Sequence, residues 1–294
     1  MRVARTCERA IPVTAMASDG QPTIEEAKAI MSGGLGDYEL ELVASYCAPL
    51  YWAIRDEAGS FGSHNGTAFF LDVGDGLFGV TACHVIDGWL TSRATEDAGP
   101  LRLAGNGTSV LIDFDKTAIA MDRDIDIATF RVAIDEVKSL GKQVLTGNQK
   151  TWPPAPPQER RGVYYAGYPG LGTRHPSPRE AVFGIVRGSG IAHSVSERDV
   201  STQLERGYLT PAKVGEGIPP ENFDFRGMSG GLMLTVLQDQ LRSWSLAGVI
   251  YQGPNTSADE GQAIAGLEVI RARRAHFILP DGNLDIARWR SLAP

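Results

Sequence analysis

The chain has 294 residues, a length that accommodates about two domains with a sizeable core. With 43% apolar and 21% charged residues, 34 glycines and 17 prolines, its composition is globular and excludes disordered and collagen-like classes. The formal net charge of −7 gives the chain as a whole no electrostatic reason to bind nucleic acid or anionic lipid.

The three cysteines, Cys7, Cys47 and Cys83, are odd in number and widely spaced. This pattern fits neither a disulfide framework nor paired zinc knuckles, and it predicts free thiols in a reducing compartment. No unbroken apolar signal-peptide segment follows the N-terminus, and no run approaches the roughly 18 apolar residues of a membrane span. We therefore expect a soluble cytoplasmic protein with no membrane partner.

Residues 1–40 are predicted to form a separate N-terminal extension. Within it, Thr23 followed by Glu26 has the pattern of a capping box, and Gly33 and Gly34 have the pattern of a helix end. These signals predict one short helix, over about 23–31.

Short β-branched and aromatic runs dominate the chain beyond the extension and are separated by Gly, Asp and Asn turns. They predict strands at 66–73, 77–82, 110–114, 125–132, 162–168, 182–186, 232–237 and 244–251. Four prolines interrupt the pattern and predict an extended linker at 146–160. We therefore expect two all-β units, 41–145 and 161–262.

The last segment, 263–294, is predicted to be a C-terminal helix and tail. Apolar residues from 264 to 277 have a spacing close to helical, and arginines in the last turns would suit the negative end of the helix dipole. A basic cluster here would also serve nucleic-acid binding, but a solvated helix end explains it equally well. The cluster consists of Arg271, Arg273, Arg274, Arg288 and Arg290.

Candidate catalytic residues stand in three segments. Ser229 lies among glycines in GMSGG, where the amides of Gly227 and Ser229 could converge on one point; the alternative is a glycine-rich hairpin with an incidental serine. His84 ends an apolar strand. Asp126 lies within the apolar run IDIA, read as part of a strand, where a buried carboxylate needs a partner such as an imidazole N–H; the alternative is a turn residue or a solvated edge. Asp124 and Asp87 are lesser candidates for the acid.

The spacing Gly-x-Ser-x-Gly at 227–231 also matches the nucleophile elbow of α/β-hydrolases, whose acid and base both follow the serine. His276 is the only histidine after Ser229, and no run of βαβ units precedes the serine. This alternative is therefore disfavoured.

The chain order His84, Asp126, Ser229 resembles that of the trypsin-like (chymotrypsin-fold) serine peptidases, and of their bacterial branch most closely. The resemblance rests on GTAFFLDVGDGLFGVTACHV, DIDIATFRV, FRGMSGGLML, LAGVIYQG and YYAGYPG, and it covers about residues 45 to 275. It implies an all-β fold of two antiparallel six-stranded β-barrels with the catalytic cleft between them.

The resemblance implies a role for each residue. His84 would be the general base, Asp126 the acid that orients it and Ser229 the nucleophile, with the amides of Gly227 and Ser229 as the oxyanion hole. The strand formed by Ile250, Tyr251, Gln252 and Gly253 would pair with the substrate backbone.

The chain also departs from the family pattern. Cys83 precedes the histidine where an alanine is usual, and Met228 replaces the aspartate that in digestive members receives a newly cut N-terminus. Tyr251 stands where many relatives have a serine that helps to hold the catalytic aspartate. By position, Phe223 and Asp224 would line the specificity pocket; Phe223 favours apolar or small side chains, and Asp224 favours basic ones.

The sequence therefore predicts a serine endopeptidase acting on proteins or peptides, with no metal and no other cofactor. The alternative is a catalytically silent module of the same fold that acts as a sensor or binding unit with partner proteins. A regulatory protein partner is a further expectation, because residues 1–40 could serve as a regulatory or docking element.

Overall fold

The computed structural model describes residues 34–55, 61–95, 97–177, 180–204, 209–210, 224–238, 242–254 and 268–292. The described chain is mostly β-structure, and its two main sheets lie in one compact unit, Leu40–Pro294. The helix predicted at 23–31 lies outside the described residues, as does Phe223.

The first sheet contains nine strands. In chain order they are β1 (Cys47–Arg55), β2 (Phe61–Asp72), β3 (Leu77–Thr81), β4 (Asp97–Ala98), β5 (Arg102–Gly105), β6 (Thr108–Leu111), β7 (Ala118–Asp122), β8 (Ile127–Arg131) and β9 (Leu145–Thr146). The main path of pairing runs β6-β5-β1-β2-β3-β8-β7, while β4 joins β1 and β9 joins β2.

The second half of the chain supplies the remaining strands. They are β10 (Gly162–Gly167), β11 (Thr173–Ser177), β12 (Glu180–Phe183), β13 (Val186–Val195), β14 (Asp199–Gln203), β15 (Leu209–Thr210), β16 (Leu232–Gln238), β17 (Arg242–Gln252) and β18 (Val269–Arg274). Strands β10-β16-β17-β18-β14-β13 pair in that order, and β13 pairs back to β10, which closes a six-stranded barrel. Strand β15 pairs with β13, and β11 and β12 form a separate hairpin.

The expectation of two closed six-stranded barrels is confirmed only for the second half. Closure requires the two edge strands of a sheet to pair, as β10 and β13 do over 162–167 and 186–191. Strands β6 and β7 are the corresponding edges of the first sheet, and a short helix at Phe114–Thr117 connects them in sequence. Among the described strands no pairing joins these edges, so the first sheet is open.

The helices are short and lie between the strands. They are α1 (Gly36–Tyr46), α2 (Cys83–Thr95), α3 (Phe114–Thr117), α4 (Ile134–Ser139) and α5 (Ile286–Ser291), with single 3₁₀ turns at Gln149–Thr151, Gly170–Gly172 and Ala275–Phe277. Across the described parts of the chain, no helix combines the length and the apolar character that crossing a membrane requires.

The C-terminal helix exists, but at α5 rather than in the segment whose spacing predicted it. Residues 269–274 form β18, which pairs with both β14 and β17. Ile270 and Ala272 are fully buried while Val269 and Arg271 are less so, an alternation of period two that belongs to a strand. The prediction of a helix at 263–277 was therefore wrong where the structure describes it.

Each sheet has its own buried apolar cluster. The first includes Phe70, Phe130 and Trp89, and the second includes Tyr165 and Met233. Phe225 and Met228 also belong to the second cluster and are 2% and 1% exposed. Burying side chains of this size stabilises their position by about 1.5–3 kcal/mol each. The segment that carries Ser229 is therefore anchored in the barrel core.

Candidate active site

His84 lies where strand β3 gives way to helix α2. β3 ends at Thr81 and α2 begins at Cys83, so His84 stands in the first helical turn. The flanking Cys83 and Val85 are buried, whereas 49% of the His84 side chain is exposed. The packed neighbours fix the backbone while the ring stays open to solvent.

The carboxylate of Asp126 contacts His84 through both of its oxygens. Oδ2 lies 2.8 Å from the ring Nδ1, and Oδ1 accepts the His84 backbone N–H at 3.0 Å. The Asp126 side chain is 16% exposed. Because Nδ1 is engaged, the nitrogen that remains available is Nε2, which has no hydrogen-bond partner among the described residues.

Asp126 stands in a turn before β8. The sequence predicted a strand here and kept a turn residue as the alternative, and the alternative is the one that the structure shows. The φ of Asp126 is +60°, a left-handed conformation. Oδ1 of Asp122 accepts the backbone N–H groups of Asp124 and Ile125, and the Asp122 carbonyl accepts that of Asp126 at 2.9 Å. Ile125 and Ile127 on either side of Asp126 are fully buried, so the sequence of this turn has the alternating apolar pattern of a strand.

The two lesser candidates for the acid are not brought to the histidine ring. Asp87 accepts two hydrogen bonds from Arg123, at 2.8 and 2.9 Å, and this guanidinium holds the pKa of Asp87 below its usual value. Asp124 is exposed. Neither carboxylate hydrogen-bonds His84 within the described structure.

Cys83 precedes the histidine but does not compete as a nucleophile. Burial, together with the negative charges of Asp87 and Asp126, raises the pKa of its thiol to about 12. The thiolate is the reactive form of cysteine, and at neutral pH this side chain stays protonated.

The segment carrying Ser229 is tied to the first sheet beside His84. The backbone N–H of Thr67 donates to the Ser229 carbonyl at 2.8 Å, and Thr67 Oγ1 donates to the Gly227 carbonyl at 2.9 Å. A Cβ at position 230 would collide with the Thr67 carbonyl and lie 3.0 Å from the Ala82 nitrogen. Ser229 is thus held against the segment that leads into His84.

Two backbone amides in this segment have no acceptor among the residues that the structure describes. The N–H groups of Met228, Gly230 and Gly231 donate to backbone carbonyls. Those of Gly227 and Ser229 have no hydrogen-bond partner among the described residues, and Gly227 has a φ of +102°. Unused amides two residues apart, one belonging to the serine itself, are the donors that an oxyanion hole requires.

The Ser229 hydroxyl does not hydrogen-bond His84 in this structure. Over the described residues its recorded partner is the Tyr251 carbonyl, which accepts it at 3.5 Å, the long limit of a hydrogen bond. The hydroxyl is therefore turned toward β17. The adjacent Gly230 lies close to Thr81 and Ala82, which immediately precede helix α2 and its His84.

The predicted substrate strand is the end of β17. The Ile250 N–H donates to Gly231 at 2.8 Å and its carbonyl accepts from Gly230 at 2.7 Å, so its backbone is already paired. The pairing of β17 with β18 shifts register between Ile250 and Gln252, which leaves Tyr251 in the irregular position. Gln252 ends the strand, and Gly253 follows it.

The Asp224 carboxylate is paired with Arg226, a residue of the same loop. The carboxylate accepts the backbone N–H of Arg226 at 2.9 Å and the guanidinium Nε at 2.6 Å. The Arg226 side chain lowers the pKa of Asp224, so the carboxylate is ionised and paired. Phe223, the other predicted pocket residue, lies outside the described residues.

Asn65 and Thr67, which hold the serine segment in place, were not among the residues predicted from the sequence. Asn65 Nδ2 donates to the Tyr168 carbonyl at 2.6 Å, and Thr67 Oγ1 accepts the Tyr168 N–H at 2.8 Å. The available signal was Thr67 itself, a fully buried hydroxyl beside an otherwise apolar run. Within the described ranges, no three His, Cys, Asp or Glu side chains gather as a metal site.

No family model and no curated protein sequence matches the chain. Among solved structures, the serine protease domain of the Sesbania mosaic virus polyprotein is 16% identical over 78% of this chain and 89% of its own, with a TM-score of 0.37. The active form of the Rv3671c protease from M. tuberculosis is 14% identical over 93% of this chain and 90% of its own, also with a TM-score of 0.37. Deg5 is 16% identical over 74% of this chain and 84% of its own, with a TM-score of 0.33.

The first of these structures is described as a serine protease domain and the second as a protease. Identities and scores of this size leave the function to be inferred from the geometry of the site.

Proposed function

We propose that the chain is a trypsin-like serine endopeptidase with His84, Asp126 and Ser229 as its catalytic triad. The observation that carries this proposal is the contact of one carboxylate with both the ring Nδ1 and the backbone N–H of His84. This arrangement orients the ring and stabilises the imidazolium that forms when Nε2 accepts a proton.

In the first step, Ser229 rotates away from the Tyr251 carbonyl and attacks the carbonyl carbon of a peptide bond. His84 Nε2 takes the hydroxyl proton as the new C–O bond forms. The oxyanion of the tetrahedral intermediate accepts hydrogen bonds from the amides of Gly227 and Ser229. Collapse breaks the C–N bond, and the imidazolium returns its proton to the leaving amine.

In the second step, water attacks the acyl-enzyme. His84 Nε2 removes a proton from the water, the same two amides hold the second oxyanion, and the proton then passes to the Ser229 oxygen as the acid product leaves. Asp126 keeps its contact with the His84 ring through both steps. The reaction needs no metal or other cofactor, so activity should survive a chelator.

Substrate binding is assigned to the end of β17. An extended peptide would pair with the backbone of Tyr251 to Gly253, which places its scissile bond beside Ser229. Because Arg226 neutralises Asp224, that carboxylate offers little attraction to a basic substrate side chain. We therefore propose a preference for an apolar residue before the scissile bond.

The second candidate function is a silent module of the same fold that acts through partner proteins. The observation in its favour is that the Ser229 hydroxyl bonds to Tyr251 rather than to His84. The two candidates differ in whether Ser229 can react.

The test is labelling by a fluorophosphonate probe, which reacts only with an activated serine. Wild type should be labelled and Ser229→Ala should not. Ser63→Ala is the matched control, because the Ser63 hydroxyl lies 3.1 Å from His175 Nε2, a serine–histidine contact without the Asp126 arrangement. Labelling of Ser229→Ala at the wild-type rate would show that another serine reacts and would overturn the assignment of Ser229 as the nucleophile. No labelling of wild type would exclude the peptidase and leave the silent module.

The same proteins should be incubated with a peptide library and their cleavage sites mapped by mass spectrometry. Cleavage by wild type and by Ser63→Ala is expected after apolar residues. Cleavage concentrated after Lys or Arg would show that Asp224 is not neutralised in the working enzyme.

A further inference from the structure

Arg273 occupies a position that the proposed reaction does not use. It lies near the end of β18 with a side chain 10% exposed. Its Nε donates to the Ile125 carbonyl at 2.7 Å, and its Nη1 pairs with Asp199 Oδ1 at 2.5 Å. The guanidinium also lies 4.5 Å from the ring centre of Tyr251 and 4.6 Å from that of Trp289.

Two of these partners adjoin the candidate triad. Ile125 is the residue immediately before Asp126, and it belongs to the same turn. Tyr251 supplies the carbonyl that accepts the Ser229 hydroxyl. One buried guanidinium therefore contacts both the turn of the acid and the strand beside the nucleophile.

We propose that Arg273 is a positioning residue that holds the Asp126 turn in a fixed relation to the strand beside Ser229. This inference rests on the proposed function. The planar guanidinium donates in fixed directions, and the two rings with the Asp199 carboxylate restrict its movement. Without Arg273, the buried Ile125 carbonyl loses its donor, and the turn must shift to find another.

Arg274 provides a matched control on the same strand. Counted over the whole residue, Arg274 is 7% exposed and Arg273 is 8% exposed. The Arg274 Nη1 donates to the Ser196 carbonyl at 2.9 Å. None of its described contacts is with Ile125 or Tyr251. A loss of function caused only by removing a buried arginine from β18 would therefore appear in both variants.

The first measurement is the rate of fluorophosphonate labelling of Ser229. Arg273→Met should lower this rate by about 10- to 100-fold, the range expected for a misplaced catalytic group, and Arg274→Met should stay within about threefold of wild type. In an Asp126→Ala background, Arg273→Met should have almost no further effect, because its influence passes through that carboxylate. An equal loss in both backgrounds would overturn the proposal.

The second measurement does not depend on activity. The ring nitrogens of His84, labelled with nitrogen-15 and assigned with His84→Gln, report the contact with Asp126. Their chemical shifts should change in Arg273→Met and remain those of wild type in Arg274→Met. If wild type is not labelled at Ser229, the proposed function fails, while these shifts still decide the role of Arg273.

Should Arg273→Met not fold, Arg273→Lys replaces it. An ammonium can still pair with Asp199 but cannot donate to Ile125 in the same geometry, so labelling should again fall by about tenfold. Wild-type labelling together with unchanged His84 shifts in the folded variant would overturn the proposal.

Discussion

Gly230 is the residue at which the serine segment meets strands β2 and β3. It has a φ of +85°, and a Cβ built on it would collide with the Thr67 carbonyl and the Thr81 hydroxyl. Thr67 and Thr81 are both fully buried in strands, so moving either group away would cost packing and strand pairing. Any side chain at this position must therefore displace the backbone, and with it Ser229.

Gly230→Ala should lower the free energy of unfolding by about 3 kcal/mol or more and abolish labelling of Ser229, because steric collision adds to the strain of a positive φ. The control is Gly76→Ala, where φ is +119° and nothing lies within 4 Å of the added Cβ. It should show only the strain of a positive φ, about 1–3 kcal/mol, with normal labelling. Urea unfolding and probe labelling measure both; equal effects of the two substitutions would contradict the steric argument.

The turn between β7 and β8 is the element that determines where the acid stands. The Asp122 side chain accepts two backbone N–H groups of this turn, and its carbonyl accepts a third, from Asp126. An aspartate that bonds the following amides in this way closes a turn at low cost. The orientation of the Asp126 carboxylate therefore depends on a residue four positions earlier.

Asp122→Ala should slow labelling of Ser229 by about tenfold, because the loosened turn lets Asp126 leave His84. The free energy of unfolding should fall by only about 1 kcal/mol, the typical loss for one hydrogen-bonding side chain. Asp281→Ala is the control, since Asp281 accepts from Asn283 in another turn. A comparable loss of stability with unchanged labelling is expected there, and slowed labelling in both variants would refute the argument.

Strands were predictable from the sequence where the local pattern of residues determines the structure. The run 66–73 falls largely within β2 and 232–237 falls within β16, since β-branched and aromatic residues there are buried in a sheet. The prediction failed at β18, where several apolar residues fit a helical spacing while strand pairing with β14 and β17 decided the outcome. It also favoured a strand over a turn at Asp126, because a buried Ile125 hides a turn among apolar residues.

The candidate site was predictable only in its residue types. Glycines around Ser229 indicated its segment. Which amides are used is a property of the folded loop: those of Met228, Gly230 and Gly231 donate to carbonyls, while those of Gly227 and Ser229 have no acceptor in the described part of the chain. Arg273 carried no local signal either, since its partners lie far from it in sequence. Contacts between residues so far apart in sequence depend on how the two sheets pack together. The periodicity of apolar residues along one strand carries no information about that packing.

At the scale of the whole molecule, His276 links stability to pH. It is 5% exposed, and neither ring nitrogen has a hydrogen-bond partner among the described residues. Burial, with the positive charges of Arg274 and Arg288, lowers its pKa from 6.5 to about 4, although Asp285 acts in the opposite direction. The unfolded chain therefore binds a proton at a higher pH than the folded one does.

As the pH falls from 6.5 to 4, this histidine should remove up to about 3 kcal/mol from the free energy of unfolding. That stability is fully present above pH 6.5. His276→Phe keeps a ring in the site and removes the titration, so its stability should decline less over this interval. His193→Phe, at an exposed position, should follow wild type. Urea unfolding at several pH values tests this, and identical pH profiles of wild type and His276→Phe would disprove it.

The open first sheet and the closed barrel should also respond differently to heat. A ring of strands has no first or last member, whereas an open sheet frays from its outer strands. One outer strand of the first sheet is β7, whose last residue begins the turn that holds Asp126. Warming would then release the acid while Ser229 remains in its barrel, and inactivation would precede melting.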